Sequence, residues 1–389
     1  MKHLAYLIPT LDRIGGAEQQ LILLASGLAK RGWRVSVLTL SGTGGAAKER
    51  LQSADIHFSS LHMRKGLADP RGWMQLNRWI MLNRPDVVHA HLPHASLLAR
   101  WSRIAAPVRV LVDTIHSPAT GGLARRFGYR ITAALPDAVT AVSRAASEAW
   151  LTSEMVHEEK LFIVPNGVDL DHWKSNRKAR DAMRQELRLS DKFLWLAVGR
   201  LDAVKDHATL LRAFSKLPSS ARLVIAGEGP LKSQLNALVK TLALGDRVFF
   251  PGFQIDVLRW MRAADGFVLS SRWEGLPIAL LEACACELPA VITDIPGARE
   301  VLTDEQCPPV DAIGDADSLA ACMNALMCLR ETDRSELGRR MRQSVVERFS
   351  LGAVLNRWEE LYGMLLERNS QPSRFGRAGW VLDRTFQLQ

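Results

Sequence analysis

Short apolar runs of strand length recur along this chain, separated by segments of helical periodicity, and that alternation restricts the fold to parallel sheets covered by helices. One group comprises Leu4–Ile8, Arg34–Leu40, Val87–Ala90, Val108–Thr114 and Ala138–Val142. A second comprises Phe193–Val198, Arg222–Ala226, Val248–Phe250, Gly266–Leu269 and Ala290–Thr293. Two groups predict two Rossmann-like sheets. Asp171–Lys192, charged and poor in strand formers, is the expected linker between them. Phe349–Glu367 carries Trp358 and Tyr362 on a helical period, and from Asn369 the chain turns polar and basic, as a loose tail does.

At 389 residues the chain can form two domains of ordinary size, each with its own core, and an apolar share of 47% indicates a soluble globular protein. No stretch approaches the roughly 18 to 20 uninterrupted apolar residues of a membrane helix. Leu4–Ile8 is too short for a signal-peptide core and is soon followed by Pro9 and Asp12, so a cytoplasmic location is expected. The five cysteines include no Cys-x-x-Cys pair, and Cys284 and Cys286 face different directions on a helix. All five are read as reduced packing residues.

The stretch Ser270 to Ala283 sets Glu274 and Glu282 on either side of a strand-to-helix turn. Gly266–Leu269 reads as a strand buried on both faces, Gly275 loosens the turn, and Pro277 suits a first helical position. The helix N-terminus between the two glutamates offers free N–H groups and a partial positive charge, which favour a phosphate. A phosphate flanked by acceptor-only carboxylates suggests a nucleotide sugar, whose hydroxyls they would bind. Two solvated glutamates beside an ordinary helix remain the alternative at this point.

The run Glu274-Gly275-Leu276-Pro277, with Glu282-Ala283 following, resembles the E-G-L-P-x-x-x-x-E-A signature of the retaining glycosyltransferases called family 4, or group 1, which have the GT-B fold. The resemblance implies an α/β architecture of two Rossmann-like domains facing a central cleft. An acceptor-binding domain over residues 1–170 would be joined by a crossover helix at about 349–368 that packs back on it, and a donor-binding domain would span 171–348, leaving 369–389 as a tail. Glu274 would contact the donor sugar in a catalytic role, and Glu282 would bind the ribose. Gly199-Arg200 through Lys205 resembles the G-R-x-x-x-x-K loop that holds the donor diphosphate, Arg200 as a planar fork and Lys205 as a point charge. Gly227-Glu228-Gly229-Pro230 is similar to the G-x-G-P turn, where glycine lets the backbone approach the nucleotide. Gly297-Ala298-Arg299-Glu300 resembles a further turn to which no role is assigned. Where many members have E-G-F-G this chain has Pro277, which cannot donate an N–H, so the phosphate contact beside Gly275 falls to Leu276 or Ile278.

In the first half, Gly15-Gly16-Ala17-Glu18 opens an amphipathic helix over Gln19–Lys30, and the resemblance implies Gly16 as a ligand contact. His89 and His91 alternate onto one strand face, where a metal pair is conceivable, yet no third ligand has convincing spacing. His116 resembles the histidine that the family places near the reacting sugar and is the catalytic candidate. Ser143 fits either an acceptor-side helix start or a plain N-cap. Pro165-Asn166-Gly167-Val168-Asp169 is similar to the family's turn before the linker, and its Asn-Gly is expected to need positive φ. Asp169-x-Asp171 is not taken as a metal motif, because GT-B enzymes need no metal for donor binding. The implied mechanism retains the anomeric configuration, needs no cofactor, and makes stabilisation of the leaving diphosphate the main electrostatic task.

Residues 1–170 hold 20 Lys and Arg against 13 Asp and Glu, while the rest of the chain holds 30 against 28. The basic surplus therefore sits on the acceptor half. Arg64, Lys65, Arg71, Trp73, Arg78, Trp79 and Arg84 mix basic and aromatic residues, as do Arg125, Arg126, Phe127, Tyr129 and Arg130. Such mixtures suit an anionic bilayer, with a lipid-linked or oligosaccharide acceptor at the cytoplasmic face of the inner membrane, and a solvated helix with core tryptophans is the alternative at this point. No nucleic-acid motif is present. UDP-sugars are the donors expected from the resemblance. Two rival classes stay open: a GT-B nucleotide-sugar epimerase, and a dinucleotide-binding protein reading Gly42-Thr43-Gly44-Gly45-Ala46-Ala47 as its fingerprint.

Overall fold

The computed structural model describes residues 1–64, 69–189, 191–303 and 313–370. Lys65, Cys307 and the tail beyond Ser370 lie outside the described residues. Twelve strands are present among those described: β1 (His3–Ile8), β2 (Arg34–Thr39), β3 (His57–Ser60), β4 (Val87–His91), β5 (Val110–Ile115), β6 (Ala138–Ala141), β7 (Leu161–Ile163), β8 (Phe193–Val198), β9 (Ala221–Ala226), β10 (Val248–Gly252), β11 (Gly266–Leu269) and β12 (Ala290–Ile292). The chain divides into two compact units, Met1–Gly167 with the helix Leu351–Ser370, and Val168–Ser350.

The first unit carries a seven-stranded parallel sheet in the order β3-β2-β1-β4-β5-β6-β7. Its inner strands are buried on both faces, as parallel strands covered by helices must be, and β4 and β5 bury His89, His91, Asp113 and Thr114 among their apolar residues. The two strands absent from the sequence reading, β3 and β7, are the two edges of this sheet. An edge strand pairs on one side only, so His-Phe-Ser-Ser is tolerated in β3 and three residues suffice for β7. The final helix belongs to this unit and buries Val354, Leu355, Trp358, Leu361, Tyr362, Leu365 and Leu366 in its core. Trp33 Nε1 fastens that helix by donating to Glu359 Oε1 at 3.0 Å. Phe349, expected at its start, instead ends the preceding helix Glu331–Phe349, because the chain leaves helical geometry at Ser350.

The second unit has a five-stranded parallel sheet in the order β10-β9-β8-β11-β12. Trp195, Phe214, Leu210 and Met323 anchor its core. The expected linker is not one. Residues Arg177–Glu186 form a helix of this unit, since Arg180 and Arg184 donate to Ala263 O (3.0 and 3.1 Å) and Arg184 also reaches Asp265 Oδ2 at 2.8 Å. Those bonds cap the carboxyl end of the helix Leu258–Ala263, whose last carbonyls have no partner within it.

In each sheet the strand order reverses once, between β1 and β4 and between β8 and β11. At such switch points neighbouring loops diverge and leave a crevice at the carboxyl ends of the strands, the usual ligand site of open α/β sheets.

Candidate functional site

In the second unit the loops after β8 and β11 meet at the switch point. Lys205, from the loop after β8, pairs through Nζ with Glu274 Oε1 from the loop after β11. Ser271 Oγ donates to the same carboxylate oxygen at 2.7 Å, and Ser270 Oγ holds the Lys205 carbonyl at 2.8 Å. Thr293, just past β12, donates from Oγ1 to Ser271 O at 2.6 Å. Neither serine nor Thr293 was singled out from the sequence, although both serines immediately precede the Glu274 loop and that adjacency was the available signal.

Three glycines let these loops close on one another. A Cβ on Gly227 would lie 1.9 Å from Gly199 O, and one on Gly229 would lie 2.3 Å from Leu201 O. On Gly297 it would meet Gly275 O at 2.4 Å and Glu274 O at 2.7 Å. The turn at Gly297, left without a role from sequence, therefore packs directly on the backbone that carries Glu274.

The helix that follows runs Ile278–Ala285, with Pro277 as its N-cap, one residue earlier than the first helical position expected. Leu280 N already bonds to Pro277 O at 3.0 Å, which leaves the N–H groups of Ile278 and Ala279 as the open donors of the first turn. Leu276 is buried. Glu282, in the same helix, is 8% exposed, and no hydrogen bond to its carboxyl group is found among the described residues. Burial pushes its pKa up to about 8. A buried acceptor group without partners is costly alone and well suited to a ligand bringing hydroxyl donors. Arg200 is not drawn into this cluster: its guanidinium is largely exposed and lies 3.8 Å from Asp202. Glu228 is also exposed, while its carbonyl accepts from Leu201 N at 3.0 Å.

In the first unit, the loop after β1 leads into the helix Gly16–Lys30, which starts three residues before the expected boundary. Glu18 Oε2 accepts from Gly15 N at 3.0 Å, the one half of a capping box that a glycine N-cap allows, and Gly16 is exposed at the helix start. His91, last residue of β4, lies with Nδ1 3.0 Å from Nε2 of His116, one residue past β5. His89 stacks against His91 with ring centroids 4.2 Å apart. Burial lowers the pKa of all three, His116 to about 4 and the other two well below the ordinary value, so all are neutral at pH 7. Among the described residues no group of three or more His, Cys, Asp or Glu side chains is arranged to hold a metal ion.

Several sequence expectations change here. Ser143 Oγ is occupied in capping the helix Arg144–Thr152, accepting from Ala146 N at 3.1 Å. Asn166 and Gly167 do not adopt positive φ; the turn is held by Gln20, whose amide exchanges two 2.8 Å bonds with the Gly167 backbone. Asp169 Oδ1 accepts from the N–H groups of Asp171 and His172, a local turn. The Gly42–Ala47 fingerprint fails physically, because Asp12 Oδ1 already occupies the N–H groups of Thr43 and Gly44 at 2.9 and 2.8 Å. A carboxylate in that nest repels a diphosphate. Tyr129, expected at a basic surface, is buried beneath Arg100, and Trp73 and Trp79 pack partly into the core. No disulfide joins Cys284, Cys286, Cys322 or Cys328 to one another, and Cys284 and Cys286 are buried.

Comparison with known proteins follows this division. Residues 14–172 match the model for "Glycosyltransferase Family 4", and residues 179–344 that for "Glycosyl transferases group 1". The chain is 30% identical over 236 residues to N-acetylgalactosamine-N,N'-diacetylbacillosaminyl-diphospho-undecaprenol 4-alpha-N-acetylgalactosaminyltransferase of Campylobacter jejuni, covering 59% of this chain and 60% of that protein, less than two thirds of its length. It is 26% identical over 318 residues to UDP-Gal:alpha-D-GlcNAc-diphosphoundecaprenol alpha-1,3-galactosyltransferase of Escherichia coli, covering 76% and 80%. The crystal structure of Anabaena HepE in complex with UDP and glucose superposes with a TM-score of 0.81 at 20% identity, over 94% of this chain and 100% of that one.

Proposed function

Since the chain belongs to the group 1, or family 4, glycosyltransferases and has their two-domain GT-B fold, we propose that it moves a sugar from UDP to a hydroxyl of a lipid-linked acceptor in cell-surface polysaccharide or lipopolysaccharide synthesis. The observation that carries this is the Lys205–Glu274 pair at the switch point of the second sheet, with the start of the helix Ile278–Ala285 and the unpartnered Glu282 beside it. A diphosphate fits Lys205, Arg200 and the open N–H groups of Ile278 and Ala279. The ribose hydroxyls fit Glu282 and the transferred sugar fits Glu274, while His116 of the first unit is the histidine to which the family resemblance assigns a contact with the reacting sugar. Gly16, at the exposed helix start of the first unit, is the ligand contact that the family resemblance assigns there, and Gly227 allows close approach of the nucleotide.

In this reading the bond from the sugar C1 to the diphosphate oxygen breaks while C1 bonds to the acceptor oxygen on the same face. The acceptor's proton passes to the leaving diphosphate oxygen, so the configuration is retained and no side-chain base is required. Lys205, Arg200 and the helix start meet the departing negative charge, in the place a metal ion would otherwise take. Losing one such charged partner costs about 1.5–3 kcal/mol.

The undecaprenol-linked substrates named for two relatives support a lipid-linked acceptor, and one surface of the first unit supports membrane contact. On the helix Leu123–Ile131, Leu123, Phe127 and Ile131 recur every four residues on one face and are 83%, 65% and 53% exposed. Trp101 and Ile104 are exposed on the helix Pro93–Ala105, and Met74 and Met81 beside Arg78 on the helix Pro70–Asn83. Apolar residues fringed by arginine suit peripheral attachment to an anionic leaflet. No helix among the described residues is long and apolar enough to cross a membrane.

Thermal stabilisation by UDP, GDP, ADP and NAD tests the donor class. UDP alone should raise the melting temperature, and Lys205→Ala and Glu282→Ala should both weaken that rise. Stabilisation by NAD alone, or by nothing at saturation, sinks the proposal.

A further inference from the structure

Among the buried polar groups of the first unit runs one chain of hydrogen bonds whose directions can all be assigned. Thr140 Oγ1 donates to Asp113 O at 3.1 Å. Its one hydrogen is then used, so across the 2.7 Å contact with Thr114 Oγ1 it accepts. Thr114 has in turn used its hydrogen and must accept at 2.6 Å from His89 Nε2. A neutral imidazole protonated on Nε2 is an acceptor at Nδ1, and Tyr362 Oη donates to it at 2.7 Å. Tyr362 lies on the final helix, which thus closes the chain.

His91, two residues further along β4, is not part of this chain. Its Nε2 is buried without a partner, and its Nδ1 lies 3.0 Å from His116 Nε2. A proton on His91 Nε2 would strand a buried donor, which costs about 1–3 kcal/mol. A proton on Nδ1 strands only an acceptor and makes the 3.0 Å contact a hydrogen bond from His91 to His116. His116 Nε2 is then an acceptor, so the His116 proton sits on Nδ1. No protein partner for that nitrogen is found among the described residues, and it is not a buried orphan.

We propose that His91 is a positioning residue that fixes His116 as the Nδ1–H tautomer, so that His116 meets its ligand as a hydrogen-bond donor and not as a base. The ligand atom it suits is an oxygen acceptor such as a hydroxyl of the transferred sugar. The kinetic part of the inference rests on the reading of His116 as a donor-sugar contact; the tautomer does not.

The test is a long-range proton–nitrogen correlation spectrum of the full chain labelled with nitrogen-15 histidine, at pH 7 and without substrate. His116 should carry its hydrogen on Nδ1 in the wild type and in His91→Asn, whose amide can donate from nearly the same place. In His91→Leu the pattern should invert or mix, and kcat/KM for transfer should fall about tenfold, against about threefold or less in His91→Asn. A wild-type His116 protonated on Nε2 overturns the tautomer, whatever the state of the activity. The expected spectrum with kcat/KM unmoved in His91→Leu overturns the positioning role. If His91→Leu does not fold, the wild-type spectrum and the kinetics of His91→Asn decide: a His116 in the wrong tautomer, or a tenfold loss in His91→Asn, refutes it.

Discussion

Glu282 supports a prediction in which stability and binding move in opposite directions. Its folded pKa is raised from 4.5 to about 8 by burial, so the folded state keeps a proton that the unfolded chain releases above its ordinary value. Stability contributed by this group is therefore full below about pH 4.5 and declines as pH rises through about 8. At about 1.4 kcal/mol per unit the decline is capped near 5 kcal/mol, and relaxation around the charge reduces it to roughly 2–4 kcal/mol. Glu282→Gln has no charge to bury. In scans of the full chain it should melt about 4–16 °C above wild type at pH 8.5, at about 2–4 °C per kcal/mol for a unit of this size, and close to wild type at pH 5. At pH 7.5 burial keeps most of this carboxyl protonated, so the change removes a neutral oxygen partner of the ribose hydroxyls, and UDP affinity should fall by about 0.5–1.5 kcal/mol, roughly 2- to 13-fold. Calorimetric titration at pH 7.5 measures that loss. A variant that melts at or below the wild-type temperature at pH 8.5 would refute the reasoning, since the carboxylate must then be satisfied within the folded protein.

Gly297→Ala should lower kcat/KM at least tenfold and destabilise the protein by about 1–3 kcal/mol, because its Cβ would press on the backbone of Glu274 and Gly275; steady-state kinetics and denaturant melts check both. Tyr362→Phe strips His89 Nδ1 of its donor and should cost about 1–3 kcal/mol in urea unfolding, whereas the same change costing nothing would mean that the buried nitrogen finds another partner. Trp358→Ala should cost about 3–5 kcal/mol by the same measurement, since that side chain is 2% exposed between the final helix and the first sheet. Phe127→Glu should abolish co-sedimentation with anionic phospholipid vesicles without changing the melting temperature, since Phe127 is 65% exposed, and unchanged sedimentation would remove this helix face from the membrane reading.

Elements whose formation depends on local apolar pattern were legible in the sequence, which is why ten strands of the two sheets stand out as apolar runs. β3 and β7 were not, because an edge strand needs little apolar character and can be three residues long. Arg180 and Arg184 look like linker charges until the helix they cap is in place. The Glu274 loop and the Lys205 loop were each recognisable, but their pairing was not: 69 residues separate them, and β8 and β11 become neighbours only through the sheet order. The contact of Gly297 with the Glu274 backbone is equally invisible to a linear pattern, since a close approach involves two segments and a motif shows one. Positive φ at Asn166-Gly167 was inferred from the dipeptide alone, and the tertiary bonds from Gln20 override that preference.

The most direct test is a transfer assay with UDP-sugars and an undecaprenyl-diphosphate-linked sugar acceptor, scoring UDP release and the anomeric configuration of the product by NMR. Acceptor-dependent release of UDP with retained configuration, abolished in Lys205→Ala and Glu274→Gln, is the predicted result. Conversion of the UDP-sugar with no acceptor present would indicate an epimerase, and an inverted product would contradict the proposed role of the leaving diphosphate.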